Sequence, residues 1–166
     1  ITPSYSGADV SNYSITNHAD LTANITVRSL TVSGVAASDK TYDGSVTAIM
    51  DSSSAVYSGF VSGDDFAASY SGVFANANVG SGKTVTITSS YAGADVSNYN
   101  ITNQSSTTAD INKKVLLLST FSSSDKAYDG NNTPTITSAV SGFVGSETVS
   151  HSITATFDNK NVGSNK

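Results

Sequence analysis

The sequence predicts an all-β protein built from tandem repeats of a small immunoglobulin-like β-sandwich, and three observations predict it. Ser and Thr fill roughly a third of the 166 residues, while Glu, Met and Arg occur once each; that balance favours pleated strands and turns over helices. Short apolar–polar alternations, such as Thr84-Val85-Thr86-Ile87-Thr88, recur between clusters of Gly, Asn, Asp and Ser, the pattern of half-buried strands joined by turns. Finally, Asp39-Lys40-x-Tyr42-Asp43-Gly44 returns as Asp125-Lys126-x-Tyr128-Asp129-Gly130, a spacing of 86 residues, and self-similarity at such a period marks a repeat architecture.

The repeat divides the chain into three segments. Residues 1–28 read as the C-terminal part of a repeat: Tyr5-x-Gly7-Ala8-Asp9-Val10-Ser11-Asn12-Tyr13-x-Ile15-Thr16, followed by Ala19-Asp20. Residues 29–113 read as a complete repeat, closing on Tyr91-x-Gly93-Ala94-Asp95-Val96-Ser97-Asn98-Tyr99-x-Ile101-Thr102 and Ala109-Asp110-Ile111. Residues 114–166 read as the N-terminal part of a further repeat. They carry Gly142-Phe143-Val144-Gly145 against Gly59-Phe60-Val61-Ser62, and Asn161-Val162-Gly163-Ser164-x-Lys166 against Asn78-Val79-Gly80-Ser81-x-Lys83. Because Ile1 matches Ile87 and Lys166 matches Lys83, the two outer segments are complementary halves of one unit. The expectation is a window on a longer array, whose half-repeats could pair head-to-tail between copies.

Within the complete repeat, alternation and β-branched content predict strands near Ser29–Val35, Val46–Met50, Ala55–Phe60, Phe66–Phe74, Lys83–Ser89, Tyr99–Asn103 and Thr107–Asn112. Val85 and Ile87 should face a core. The intervening Tyr-Asp-Gly, Ser62-Gly63-Asp64-Asp65, Asn78-Val79-Gly80 and Gly93-Ala94-Asp95 are turns, where Gly supplies positive φ and Asp or Asn bonds to the backbone just ahead. Residues 91–98 are the one place for a short helical turn. So many short strands suggest the sandwich; a β-grasp-like sheet carrying one helix is the alternative.

Composition narrows the function. The net charge is −5 and no basic patch exists, which argues against nucleic acid and anionic membranes as partners. The longest apolar run, Val115-Leu116-Leu117-Leu118, is too short for membrane insertion. There is no Cys, so no disulfide framework. His18 and His151 sit at unmatched repeat positions, and one Glu with one Arg builds no acid–base pair or oxyanion clamp. The expectation is a non-enzyme without a cofactor.

The acidic turns are the candidate metal sites. Asp43 and Asp129 in the Tyr42-Asp43-Gly44 and Tyr128-Asp129-Gly130 turns, and the pair Asp64-Asp65, could supply calcium oxygens. Calcium needs six to eight of these in a compact cage, Lys40 and Lys126 sit inside the cluster, and the spacing matches no calcium loop. The competing reading is structural: Asp caps the turn, Tyr packs on the core edge, and Gly takes positive φ. Lys40, Lys83, Lys126 and Lys166 could form intramolecular isopeptide bonds with Asn78, Asn161, Asp43 or Asp129. Tyr5, Tyr57, Tyr70 and Tyr91 are candidates for a carbohydrate platform. Five Asn-x-Ser/Thr sequons, at Asn12, Asn24, Asn100, Asn103 and Asn131, are about what chance gives in so Ser/Thr-rich a chain.

The ordered series resembles a known family. Lys-x-Tyr-Asp-Gly, Gly-Phe-Val-x-Gly-Asp at 59–64, Asn-Val-Gly-x-x-Lys, Gly-Ala-Asp-x-x-Asn-Tyr and Ala-Asp-Ile together look like the YDG/MBG-type repeats of large bacterial exoproteins, including filamentous-haemagglutinin-like and other giant adhesins. The resemblance covers essentially the whole chain. It implies an extracellular or cell-surface stalk of adjoining repeats, with any host or surface ligand bound elsewhere in the full protein. Gly145-Ser146-Glu147 departs from the pattern, since Asp64-Asp65 is not repeated there.

Overall fold

The computed structural model describes residues 3–18 and 21–166. Ile1 and the Ala19-Asp20 pair therefore lie outside the described residues. A constant spacing of 86 places Ala23-x-Ile25, not Ala19-Asp20, opposite Ala109-x-Ile111, which corrects the alignment of the first segment.

The complete repeat is nearly all β. Its strands are β1 (Arg28–Ser33), β2 (Ala36–Ala37), β3 (Lys40–Thr41), β4 (Thr47–Ala48), β5 (Met50–Asp51), β6 (Val56–Ser58), β7 (Ala67–Phe74), β8 (Gly80–Ala92), β9 (Tyr99–Thr102) and β10 (Ser106–Asn112). The third segment adds β11 (Leu117–Ser124) and β12 (Thr135–Ser141). Among the described residues, the helical segments are two three-residue 3₁₀ turns, Val10–Asn12 and Val96–Asn98. No described helix is long and apolar enough to cross a membrane.

Two sheets carry the repeat. One has the order β6-β1-β9 and the other β3-β10-β8-β7-β4, with β2 and β5 forming a small separate ribbon. Alternation decides which side chains are covered. Val85 and Ile87 of β8 are buried, while Thr84, Thr86 and Thr88 between and beside them are exposed. Val85 joins Ala48, Phe74, Ala109 and Ile111 in one apolar cluster, under Ala37, Tyr42 and Met50. Ile87 joins Val32 and Val35 in a second, edged by Tyr57, Tyr70, Tyr91 and Ile101. The second cluster therefore lies between the two sheets. Both clusters are small, so burial contributes modestly and the hydrogen-bonded ladders carry much of the specificity.

Two pairings are parallel, and alternation could not have predicted either. β1 runs beside β9 with Arg28 opposite Tyr99 and Thr31 opposite Thr102. β3 runs beside β10 with Lys40 opposite Ile111 and Thr41 opposite Asn112. The two ladders share one register: the partner always lies 71 residues ahead. Between them the chain changes sheets, and Gln104 bridges the gap with its side chain. Its Nε2 donates to the Val35 carbonyl at 2.8 Å while its Oε1 accepts from the Val35 N–H at 3.0 Å. The first path of the repeat (28–41) and the last (99–112) thus run side by side in the same direction along its length.

The outer segments make only part of this. β11 pairs with β12 as β1 pairs with β6: Leu117 faces Ser141 where Thr31 faces Ser58. Positions that the complete repeat buries are open here. Leu30 is fully buried but Leu116 is 36 % exposed; Val35 is 2 % exposed but Phe121 is 58 %. Residues 13–16, which match strand β9, form no strand.

Candidate functional site: the repeated Tyr-Asp-Gly turn

The Tyr-Asp-Gly turn follows β3 directly, and the parallel β3–β10 pairing sets it at the end of the repeat where the chain leaves. The Tyr42 N–H donates to the Asn112 carbonyl at 2.8 Å, continuing that ladder by one bond. Asp43 Oδ1 accepts the Ser45 N–H at 2.8 Å, an Asx turn, and Gly44 takes φ +76°, a left-handed conformation that costs any side chain.

Lys40 fills the centre of the turn. Its ammonium lies 2.7 Å from Asp43 Oδ1, 3.1 Å from the Ser45 carbonyl, 3.0 Å from Ser45 Oγ and 3.1 Å from the Thr47 carbonyl. The side chain is only 13 % exposed, and its ammonium sits 5.8 Å from the centre of the Phe74 ring, a cation–π distance. The second copy repeats this. Lys126 Nζ meets Asp129 Oδ1 at 2.7 Å, the Asn131 carbonyl at 3.2 Å and the Thr133 carbonyl at 3.2 Å, and the Asn131 N–H donates to Asp129 Oδ1 at 3.1 Å. The neighbouring ammonium, then the backbone amide, hold the Asp43 carboxyl down at about 2. Lys126 and then Asn131 lower Asp129 in the same way.

This bears on the acidic candidates. The oxygens that calcium would need at Asp43 and Asp129 already surround a tethered ammonium ion. Asp64 and Asp65 diverge to different partners. Asp64 accepts the Tyr99 hydroxyl, while Asp65 Oδ2 accepts the Ala94 N–H at 2.9 Å and the Asp65 N–H donates to Asp95 Oδ2 at 2.8 Å. They tie the 61–65 loop to the start of β9 and to the turn before it. Among the described residues, no three His, Cys, Asp or Glu side chains converge on a metal-sized space.

Lys83 and Lys166 bond groups other than the Asn78 and Asn161 side chains. Lys83 Nζ donates to Asn76 Oδ1 at 2.7 Å, because Asn76, two residues earlier, makes the Asx turn that accepts the Asn78 N–H at 3.1 Å. Lys166 bonds the Asn161 backbone carbonyl at 2.8 Å, the Asn159 side chain, and Asp158 at 3.2 Å. Isopeptide chemistry needs the amine against an amide or carboxyl carbon in apolar surroundings; the Lys40, Lys126 and Lys166 ammonium groups are instead ringed by ion-pair and carbonyl oxygens.

The tyrosines do not form an exposed row. Tyr57 and Tyr70 share a hydroxyl contact at 3.1 Å, and burial, followed by the Tyr57 hydrogen bond, pushes the Tyr70 phenol well up. Tyr91 donates to Asn103 Oδ1 at 2.6 Å and Tyr5 to Asn17 Oδ1 at 2.7 Å, one contact repeated at the 86-residue spacing. Tyr57, Tyr70 and Tyr91 pack on the second apolar cluster, and Tyr5 stands apart from them in sequence and exposure. His151 Nε2 lies 2.9 Å from Ser138 Oγ, on the half-buried face of β12, with no carboxylate bonded to the ring among the described residues; the complete repeat has Ala55 and Ala68 at those positions.

Sequence reasoning missed Asp110 and Glu147. Asp110 Oδ1 accepts the Gly82 N–H at 2.7 Å and the Ser81 hydroxyl at 2.9 Å, contacts that lower its pKa. Its own N–H donates to Asp39 Oδ1 at 2.7 Å, so one residue locks β10 to both the β8 turn and the start of β3. Glu147 accepts the Tyr42 hydroxyl, a bond that, ahead of burial, raises the Tyr42 phenol above its usual value.

No curated protein and no solved structure matches the chain. The YDG domain matches it twice, over residues 26–109 and again over 112–166. With the motif lysine, aspartate and glycine arranged alike in both copies, the chain belongs to the YDG domain family.

Proposed function

We propose that the chain is a structural spacer, a stalk segment of an extracellular bacterial adhesin or filament in which small immunoglobulin-like β-modules of the YDG family follow one another. The observation that carries this reading is the pair of parallel ladders. Tension applied to the two ends of the repeat pulls 28–41 one way and 99–112 the other, so their hydrogen bonds are loaded together in shear rather than opened one at a time. A path of fourteen residues spans at most about 45 Å, the length each repeat would add. The negative net charge of −5 disfavours side-by-side clustering of such arrays. A carbohydrate- or surface-ligand-binding module is the weaker reading, because Tyr57, Tyr70 and Tyr91 give their ring faces to the core. The spacer reading involves no catalysis and no cofactor.

The same reading includes head-to-tail completion between copies. Residues 114–166 display the apolar face that 99–112 covers in the complete repeat. Tyr13, Ile15, Ala23 and Ile25 carry the matching pattern, with Tyr13 73 % exposed. Small-angle scattering tests the spacer: lengthening the chain by another copy of 29–113 should extend its greatest dimension by about 45 Å, whereas an unchanged dimension contradicts it. Light scattering tests completion: mass should rise with concentration, and a strict monomer throughout would contradict that part alone.

A further inference from the structure

Topology puts the two signature motifs of each repeat at opposite ends. The Tyr-Asp-Gly turn ends the β3–β10 ladder, beside Asn112, where the chain leaves. The Gly-Phe-Val loop follows β6, which pairs with β1 at the end where the chain arrives. There Arg28 Nε donates to the Gly59 carbonyl at 2.7 Å, and a Cβ on Gly59 would run into the Ser29 carbonyl oxygen. Gly142 repeats that approach, a Cβ there meeting the Val115 carbonyl oxygen at 3.0 Å. Only residues 113–116 separate β10 from β11. So short a link brings the trailing turn of one repeat against the leading loop of the next.

We propose that these two motifs form the joint between successive YDG repeats, with the turn tyrosine as its polar clasp and the acidic residue of the next repeat's Gly-Phe-Val loop as its acceptor. In this chain the clasp is Tyr42 to Glu147. The Tyr42 ring packs on the core of its own repeat and its backbone is held by Asn112, so the hydroxyl is fixed from behind. A Cβ on Gly44 would come within 3.0 Å of Val144 Cγ1, which explains a second demand for glycine there besides its φ. An apolar groove of about 430 Å³ runs along the seam, lined by residues of both repeats, among them Val79, Leu116, Phe143 and Val149.

The acidic position makes a different contact in the two segments. Glu147 aligns with Asp64, and both close the same local turn, Glu147 N–H to the Val144 carbonyl at 3.1 Å and Asp64 N–H to the Val61 carbonyl at 3.3 Å. The Asp64 carboxylate turns inward to Tyr99 of its own repeat. Glu147, one methylene longer, reaches the preceding repeat.

The joint does not depend on the spacer reading and is tested apart from it. The chain has no Cys, so spin labels at S71C and T137C, exposed strand positions in the two repeats, report their separation. The expected result is one narrow distance distribution, whose narrow peak is lost in both Y42F and E147A and kept in Y128F, the equivalent tyrosine of the other turn. Circular dichroism melting of each variant checks that the strands remain. A narrow peak that survives both Y42F and E147A, or one that Y128F removes equally, would overturn the joint.

Discussion

At the scale of single residues, the turn is an electrostatic lock whose strength depends on pH. Asp43 is held at about 2 by Lys40 and the Ser45 amide, and Asp110, Asp129 and Asp158 are lowered by their own donors. A carboxyl lowered by folding stabilises the native state above its unfolded pKa, and that contribution is lost as pH falls through the folded value. The melting temperature should therefore hold from neutral pH down to about 4 and decline between about 4 and 2. Asp43→Asn should lower it at neutral pH and flatten the acid decline; an equally steep decline in that variant would show that Asp43 takes no part. Gly44→Ala should cost about 1–2 kcal/mol for the left-handed backbone alone. The Tyr-Asp-Gly turn was legible because every part of the lock is local: an Asx bond two residues ahead, a glycine, and a lysine three residues back. The partner of Tyr42 was not legible, since Glu147 lies 105 residues away and only the topology brings it there.

At the scale of elements, one sequence appears in two surroundings. Gly7-Ala8-Asp9-Val10-Ser11-Asn12-Tyr13 and Gly93-Ala94-Asp95-Val96-Ser97-Asn98-Tyr99 both form the 3₁₀ turn, closed by Asn12 N–H to Asp9 and Asn98 N–H to Asp95, each at 3.0 Å. Only the second continues into a strand, because only there does β1 offer its ladder. Turns encoded locally could be read from sequence; strands such as β2 and β3, two residues each, were missed because pairing alone defines them. Parallel β1–β9 and β3–β10 pairing was hidden for the same reason. The six longer strands of the complete repeat were readable because alternation and burial coincide, as at Val85 and Ile87, whereas the strand expected over Val46–Met50 splits into β4 and β5, which join different sheets. The contrast in surroundings has an energetic counterpart. Leu30→Ala, at a fully buried position, should destabilise by about 2–5 kcal/mol. Leu116→Ala, at the matching open position, should cost clearly less in dilute solution. Urea melts of the two variants check this, and equal losses would mean that the third segment is covered as fully as the second.

At the scale of the whole molecule, the repeat is a path that goes in at one end and out at the other, with its first and last strands locked in one direction. The central claim is that this arrangement bears load. Single-molecule pulling from the two ends of the chain tests it most directly. The account predicts one cooperative rupture for residues 29–113, with a contour gain of about 250 Å, and much weaker resistance from residues 114–166, whose first path has no parallel partner among the described residues. A complete repeat that lengthens gradually, without a rupture peak, would contradict it.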